Sequence, residues 1–179
     1  MDPRYRDTTV LFGSLDGVHC HIEEPKKFPS TKWFSHKFHG PGLTYQIVLS
    51  LHEDKVLSVV GPFPAGMPDI SVFREDGGIF DLIPPGKRLI GDNGYKGEPT
   101  KIVTPSDHDS LLASKYKGRA RARQETFNGR LKEFNIIDQT FRHANKRDNV
   151  ENLDDHQRVF ESICGLIQYD LKYVPLFEI

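Results

Sequence analysis

Cysteine is scarce in this chain: 179 residues hold only Cys20 and Cys164, far apart in sequence, together with a single tryptophan. Neither a disulfide framework nor a CxxC pair of metal ligands can be built from them, so reduced, buried thiols are expected. A charge excess is also missing. The 24 Lys and Arg residues stand against 25 Asp and Glu, a formal net charge of −1, and bulk charge therefore says nothing about partners. No apolar run approaches the ~18 residues that a membrane helix needs. The opening MDPRYRDTT lacks the basic-then-apolar pattern of a secretory signal. A soluble intracellular chain with no membrane partner is the expectation, nuclear if the source is eukaryotic. Internal repeats, low-complexity tracts and Ser/Gly linkers are absent too, so residues 1–179 are expected to form one domain.

What is present is a run of short elements. Thr8 to Ile22 is rich in β-branched and aromatic residues and predicts a strand. Pro25, Pro29 and Pro41 with Gly40 and Gly42 mark a long irregular loop placed to cover a site. Leu43 to Leu51 and Lys55 to Val60 are apolar runs split by His-Glu-Asp, which predicts an antiparallel hairpin. Asp69 to Phe80 predicts a short helix with Asp69 as its N-cap. Lys87 to Ile90 predicts a brief strand ending in Gly91-Asp92-Asn93-Gly94, and Lys101 to Thr104 another. A helix is expected from Asp109 or Ser110, interrupted near Gly118 and firm from Ala120 to Phe134, where Phe127, Leu131 and Phe134 make the apolar stripe. A last helix is expected over Leu153 to Tyr173, stopped by Pro175.

Three carboxylates from three of these elements stand out. Asp16 lies near the end of the first strand, Asp92 directly after a later strand, and Glu125 on a helix, nearly opposite the apolar stripe and on the side of Arg121, Asn128, Gly129 and Lys132. Singly, each reads as an ordinary turn or surface residue. Together they suit phosphodiester cleavage. The anionic ester resists attack, and two divalent ions held by carboxylates neutralise charge, activate water and steady the leaving oxygen. Mg²⁺ and Mn²⁺ prefer oxygen ligands and take few from the protein, because phosphates and water complete the shell.

At these residues the chain resembles the DDE superfamily endonucleases, specifically transposases of the PIF/Harbinger type and their bacterial insertion-sequence relatives. SLDGVHCHI is similar to the family's first-aspartate strand, with Val18 in place of the usual threonine. WFSHKFHGPGLTYQIVLSL resembles the Ser-x-Lys segment and second strand that follow. GPFPAGMPDISVFRE resembles a Gly-Ser-x-His-Asp-Ser region, with Met67-Pro68 where a histidine is often found. LIGDNGYKG matches the second-aspartate motif, and RARQETFNGRLKEF matches the third-carboxylate helix, 33 positions after Asp92. The resemblance covers about Thr8 to Tyr173. It implies an α/β fold, a ribonuclease-H-like mixed sheet flanked by helices. It also implies two-metal cleavage and strand transfer of DNA by the Asp16, Asp92 and Glu125 triad, using Mg²⁺ or Mn²⁺. A domesticated or inactive transposase-derived module that binds DNA or protein is the alternative, and a ribonuclease or other phosphohydrolase on the same fold a third reading. No separate DNA-binding region is visible before the first strand, which leaves open a fragment, a truncated copy or a separate DNA-binding partner, and a homo-oligomer is possible.

Seven basic residues lie between Lys115 and Lys132 (Lys115, Lys117, Arg119, Arg121, Arg123, Arg130, Lys132) against one acid, Glu125. Such a local excess binds phosphates. Arg121 and Lys132 are the sharpest candidates for nucleic-acid contact, joined by His19, Lys37 and Tyr95, with Lys96 beside the last. Zinc at His19, Cys20, His21, His36 and His39 is disfavoured, since strand alternation sends Cys20 to the other face. Asp69 reads as a helix cap rather than a fourth acid of the site.

Overall fold

The computed structural model describes residues 10–24, 31–142 and 153–179. Thr8 and Thr9, at the expected start of the first strand, and Pro25 and Pro29 of the loop lie outside the described residues. Strand β1 (Leu11–His21) is central. It pairs antiparallel with β3 (Gly40–Ser50), with Asp16 opposite Ile47 and Gly17 opposite Gln46. β3 forms the expected hairpin with β4 (Val56–Pro64), and its first two residues pair with the short β2 (Phe34–Ser35). On its other edge β1 runs parallel to β5 (Arg88–Ile90), which in turn runs parallel to β6 (Ile102–Val103). The result is a mixed six-stranded sheet. Flanked by helices, it is the α/β arrangement expected, consistent with a ribonuclease-H-like nuclease.

Strand alternation sends successive side chains to opposite faces, and each face has its own core. Val18, Cys20, Tyr45 and Ile47 pack on one face against α3 (Leu111–Lys132) and α5 (Asp154–Asp170), through Phe127, Leu131, Phe160 and Ile163. Tyr45 stacks on Phe160 with ring centroids 3.9 Å apart. Phe127 and Leu131 are completely buried, and each contributes about 1.5–3 kcal/mol by leaving water. They fix how α3 is rotated and so which residues it turns outward. Leu15 and Val48 face the other way, onto Phe73, Ile79 and Tyr95.

The helices depart from expectation in four places. The helix expected over Asp69 to Phe80 is two, α1 (Asp69–Phe73) and α2 (Ile79–Leu82), broken where Gly77 takes a φ of 72°. α3 runs through Gly118 without interruption, because a missing side chain there faces open space and costs only helix propensity, about 1 kcal/mol. Its start is set by Ser110, whose hydroxyl accepts from the Ala113 N–H at 3.2 Å. A further short helix, α4 (Asn135–Asp138), follows α3, and α5 ends at Asp170, well before Pro175. No helix among the described residues is long and apolar enough to cross a membrane.

Candidate active site

The parallel pairing of β1 and β5 puts two acids side by side. Ser14 is the last residue of β1 to pair with β5, opposite Ile90, where β5 ends. Two positions beyond this pair on each strand stand Asp16 and Asp92. β1 continues to His21 without β5 beside it, so the strands part where the acids are. α3 crosses this end and adds Glu125 on its exposed side, as its rotation requires. Asp16, Asp92 and Glu125 line one small cavity of about 70 Å³ together with Arg121 and Gln124.

Each aspartate is held. Asp16 Oδ1 accepts from the Gly17 N–H at 2.8 Å, and its Oδ2 accepts from Asn128 Nδ2 at 2.8 Å. Asp92 Oδ1 accepts from the Gly94 N–H at 2.8 Å, capping the single 3₁₀ turn Asn93–Tyr95. One turn nearer the start of α3, Gln124 Oε1 accepts from the Ser14 hydroxyl at 2.8 Å and ties the helix to β1. Burial pushes the Asp16 carboxyl above its ordinary range, and Asp92 and Asp69 add to this, while Lys37 and the Gly17 N–H oppose it. The cation Lys37 comes from the loop expected to cover a site, and its ammonium donates to the Gly17 carbonyl at 3.2 Å.

The donors fit a hard divalent ion. All are oxygens, and Asn128 Oδ1, buried beside Asp16, has no hydrogen-bond partner. Among the described residues no three His, Cys, Asp or Glu side chains stand close enough together to enclose an ion. An open arrangement of this kind leaves part of the coordination shell to substrate and water. The same absence covers the disfavoured histidine and cysteine zinc site; Cys20 is buried on the face opposite His19.

A wider groove of about 420 Å³ opens from Asp16 and Glu125 and is walled by His19, Lys37, Phe38 and Lys132. A second, of about 780 Å³, begins at Arg121 and runs past Lys96, Ser106 and His108. The carboxylates thus lie between two grooves, with Glu125 bordering one and Arg121 the other. His19 is held by Ser35, Nδ1 to Oγ 2.8 Å, and is pushed down to about 4 by burial and by the fields of Lys37 and Lys132. At neutral pH it is an uncharged hydrogen-bonding group, not a phosphate-binding cation.

Three expectations need correction. Tyr95 is completely buried, and Gln46 Nε2 donates to its hydroxyl at 3.3 Å, so it has no surface to offer a nucleic-acid backbone. Four of the seven basic residues near Glu125 are engaged within the protein. Lys117 pairs with Asp109 at 2.6 Å, and Arg123 is buried against Asp54 and the Ser50 and Glu53 carbonyls. Arg119 and Arg130 hold carbonyls near the C-terminus. Lys115, Arg121 and Lys132 make no hydrogen bond or ion pair among the described residues. Finally, Asp69 does not cap α1: Pro68 occupies the cap position and no side-chain cap bond is made. Burial raises the Asp69 carboxyl, Lys37 opposes the shift and Asp92 adds to it. Asn128, which orients Asp16, was visible in the sequence only as a polar neighbour of Glu125 one helical turn on.

The sequence profile of the DDE superfamily endonucleases matches residues 15–168. No curated protein and no solved structure matches the chain. The matched span begins one residue before Asp16, takes in Asp92 and Glu125, and ends within α5. The chain belongs to the DDE superfamily endonucleases, a family of nucleases and transposases.

Proposed function

We propose that the chain is a metal-dependent DNA-cutting domain of a Harbinger-like transposase, with Asp16, Asp92 and Glu125 as its acidic triad. The observation that carries this reading is the meeting of three carboxylates, from β1, from the turn after β5 and from α3, at one small cavity between two grooves. Asp16, Asp92 and Glu125 would hold Mg²⁺ or Mn²⁺ there, and the ion would supply charge neutralisation at the phosphodiester and a more acidic attacking water. The protein's own part is positional. Gly17 and Asn128 hold Asp16 in one orientation, and Gly94 does the same for Asp92. Lys132 and Lys37 on one groove and Arg121 on the other bind the phosphates on either side of the bond that breaks. His19, uncharged, donates or accepts a hydrogen bond at the groove wall.

Nicking of supercoiled plasmid in Mn²⁺ tests the reading. Wild type is expected to nick and Asp92→Asn to lose at least about a thousandfold of the rate, the scale of losing a principal charge-stabilising group. Nicking retained by Asp92→Asn removes Asp92 from the mechanism. A domesticated DNA-binding module is the alternative reading. Tight DNA binding by a wild type that no divalent metal stimulates to cut decides for that module.

A further inference from the structure

Asp69 is unused by its own helix, and its backbone is nonetheless pinned: Gln46 Nε2 donates to the Asp69 carbonyl at 2.9 Å. Its carboxylate enters the site region from the face of the sheet opposite Asp16, through space left by two glycines. A β-carbon on Gly17 would stand 3.0 Å from Asp69 Oδ1. A β-carbon on Gly94 would stand 2.8 Å from Asp69 Oδ2 and 3.1 Å from Asp92 Oδ1. The Asp69 and Asp92 carboxylates therefore flank one point, and a side chain at Gly94 would collide with the first and crowd the second.

A second observation points to a ligand at the other oxygen of the same carboxylate, on the Gly17 side. Thr44 is 1% exposed, and its hydroxyl has no hydrogen-bond partner. That hydroxyl lies 3.6 Å from the β-carbon position over Gly17, the point that Asp69 Oδ1 approaches to 3.0 Å and the Tyr95 hydroxyl to 3.6 Å. A buried hydroxyl is costly to leave unpaired. Here it faces a slot lined by oxygens, the surroundings that suit a hard cation and its water.

We propose that Asp69 is a fourth carboxylate of the acid site, a positioning residue that joins Asp92 in supplying the negative charge that recruits a divalent cation. The proposal rests on the metal-dependent reading above. Two half-buried carboxylates side by side repel each other, and the cation acting on Asp69, Lys37, is already bonded to the Gly17 carbonyl. The metal-free protein carries this repulsion as a loss of stability, which a bound divalent ion relieves.

Calorimetric titration with Mn²⁺ at pH 7, paired with thermal melts with and without Mn²⁺, tests it on wild type, Asp69→Asn, Asp92→Asn and, as an exposed control, Asp155→Asn. Asp92→Asn is expected to abolish Mn²⁺ binding and Asp155→Asn to leave it unchanged. Asp69→Asn is expected to weaken Mn²⁺ binding about tenfold or more, the scale seen when a supporting group of a metal site is removed. Its metal-free melting temperature should equal or exceed that of wild type, which a structural role for Asp69 would not produce. If Asp69→Asn binds Mn²⁺ like wild type while Asp92→Asn does not, the role of Asp69 is overturned and the metal-dependent reading stands. A lower metal-free melting temperature with unchanged Mn²⁺ affinity likewise overturns it, as structural. Wild-type protein that binds no Mn²⁺ overturns both.

Discussion

Arg121 and Arg123 are two positions apart on α3 and have opposite fates. Arg123 turns inward, and its guanidinium meets the Asp54 carboxylate at 2.7 Å and the Glu53 carbonyl at 2.9 Å, bracing the turn between β3 and β4. Arg121 turns outward beside Glu125, at the junction of the acid cavity and a groove, with no protein partner among the described residues. The 3.6-residue period of the helix is what separates them. A cluster of cations in a sequence is thus two populations, one building the protein and one left without a protein partner among the described residues.

The contrast is sharpest in stability. Arg123→Met takes from Asp54 its ion-pair partner and from the Ser50 and Glu53 carbonyls a guanidinium donor, and should cost about 3–5 kcal/mol in urea unfolding. Arg121→Met should stay within about 0.5 kcal/mol of wild type. Equal unfolding midpoints for the two variants would break the distinction. DNA binding inverts the order. In fluorescence-anisotropy titrations over a salt series, Arg121→Ala and Lys132→Ala should each lower the slope of log affinity against log salt by about 1, with similar losses on unrelated sequences. Arg119→Ala, which loses contacts to the Glu178 carbonyl and the Phe177 ring, should leave that slope alone.

Charge in the site follows the same division between holding the protein and serving the ligand. Asp16 has its carboxyl raised in the folded protein, so its contribution to stability is complete at acid pH and is lost as pH rises through the folded value. The ionised form of Asp16 is therefore a liability to the metal-free fold. Asp16→Asn should abolish Mn²⁺-dependent nicking while raising the metal-free melting temperature by roughly 2 °C. Rotation of the Asn128 amide would let its unpartnered Oδ1 accept from the new side chain. A melting temperature that falls instead would make Asp16 structural. His19 gives the smallest effect and the opposite sign. Held down to about 4 against an ordinary 6.5, it leaves stability flat above pH 6.5 and removes it as pH falls from there toward 4. His19→Gln should flatten that limb in melts taken between pH 7 and 4.

Much of this was legible in the sequence where local pattern and tertiary role coincide. Phe127 and Leu131 of the expected stripe set the rotation of α3 and with it the outward side of Glu125, while Phe134 lies past the helix end, at the start of α4. The Gly-Asp-Asn-Gly turn placed Asp92 just past a strand end. Other features were hidden because a distant neighbour decides them. An aspartate before Ile70 looks like a cap, and only Gly17 and Gly94, 52 and 25 positions away in the folded chain's sequence, reveal where its carboxylate goes. Tyr95 sits in a polar, glycine-rich stretch that reads as surface, yet the second core claims its ring. Which of the basic residues turn inward depends on Asp54 and the C-terminal carbonyls, far away in sequence, and on Asp109, eight residues before Lys117.

Gly17 has a wider consequence. Its missing side chain belongs on the face opposite Asp16, where a β-carbon would stand 3.0 Å from Asp69 Oδ1. The bare position lets the Asp69 carboxylate lie directly against the strand that carries Asp16, and Asp69 is among the groups that raise the Asp16 carboxyl. Even a methyl group at Gly17 would oblige the Asp69 carboxylate to give way by a few tenths of an ångström.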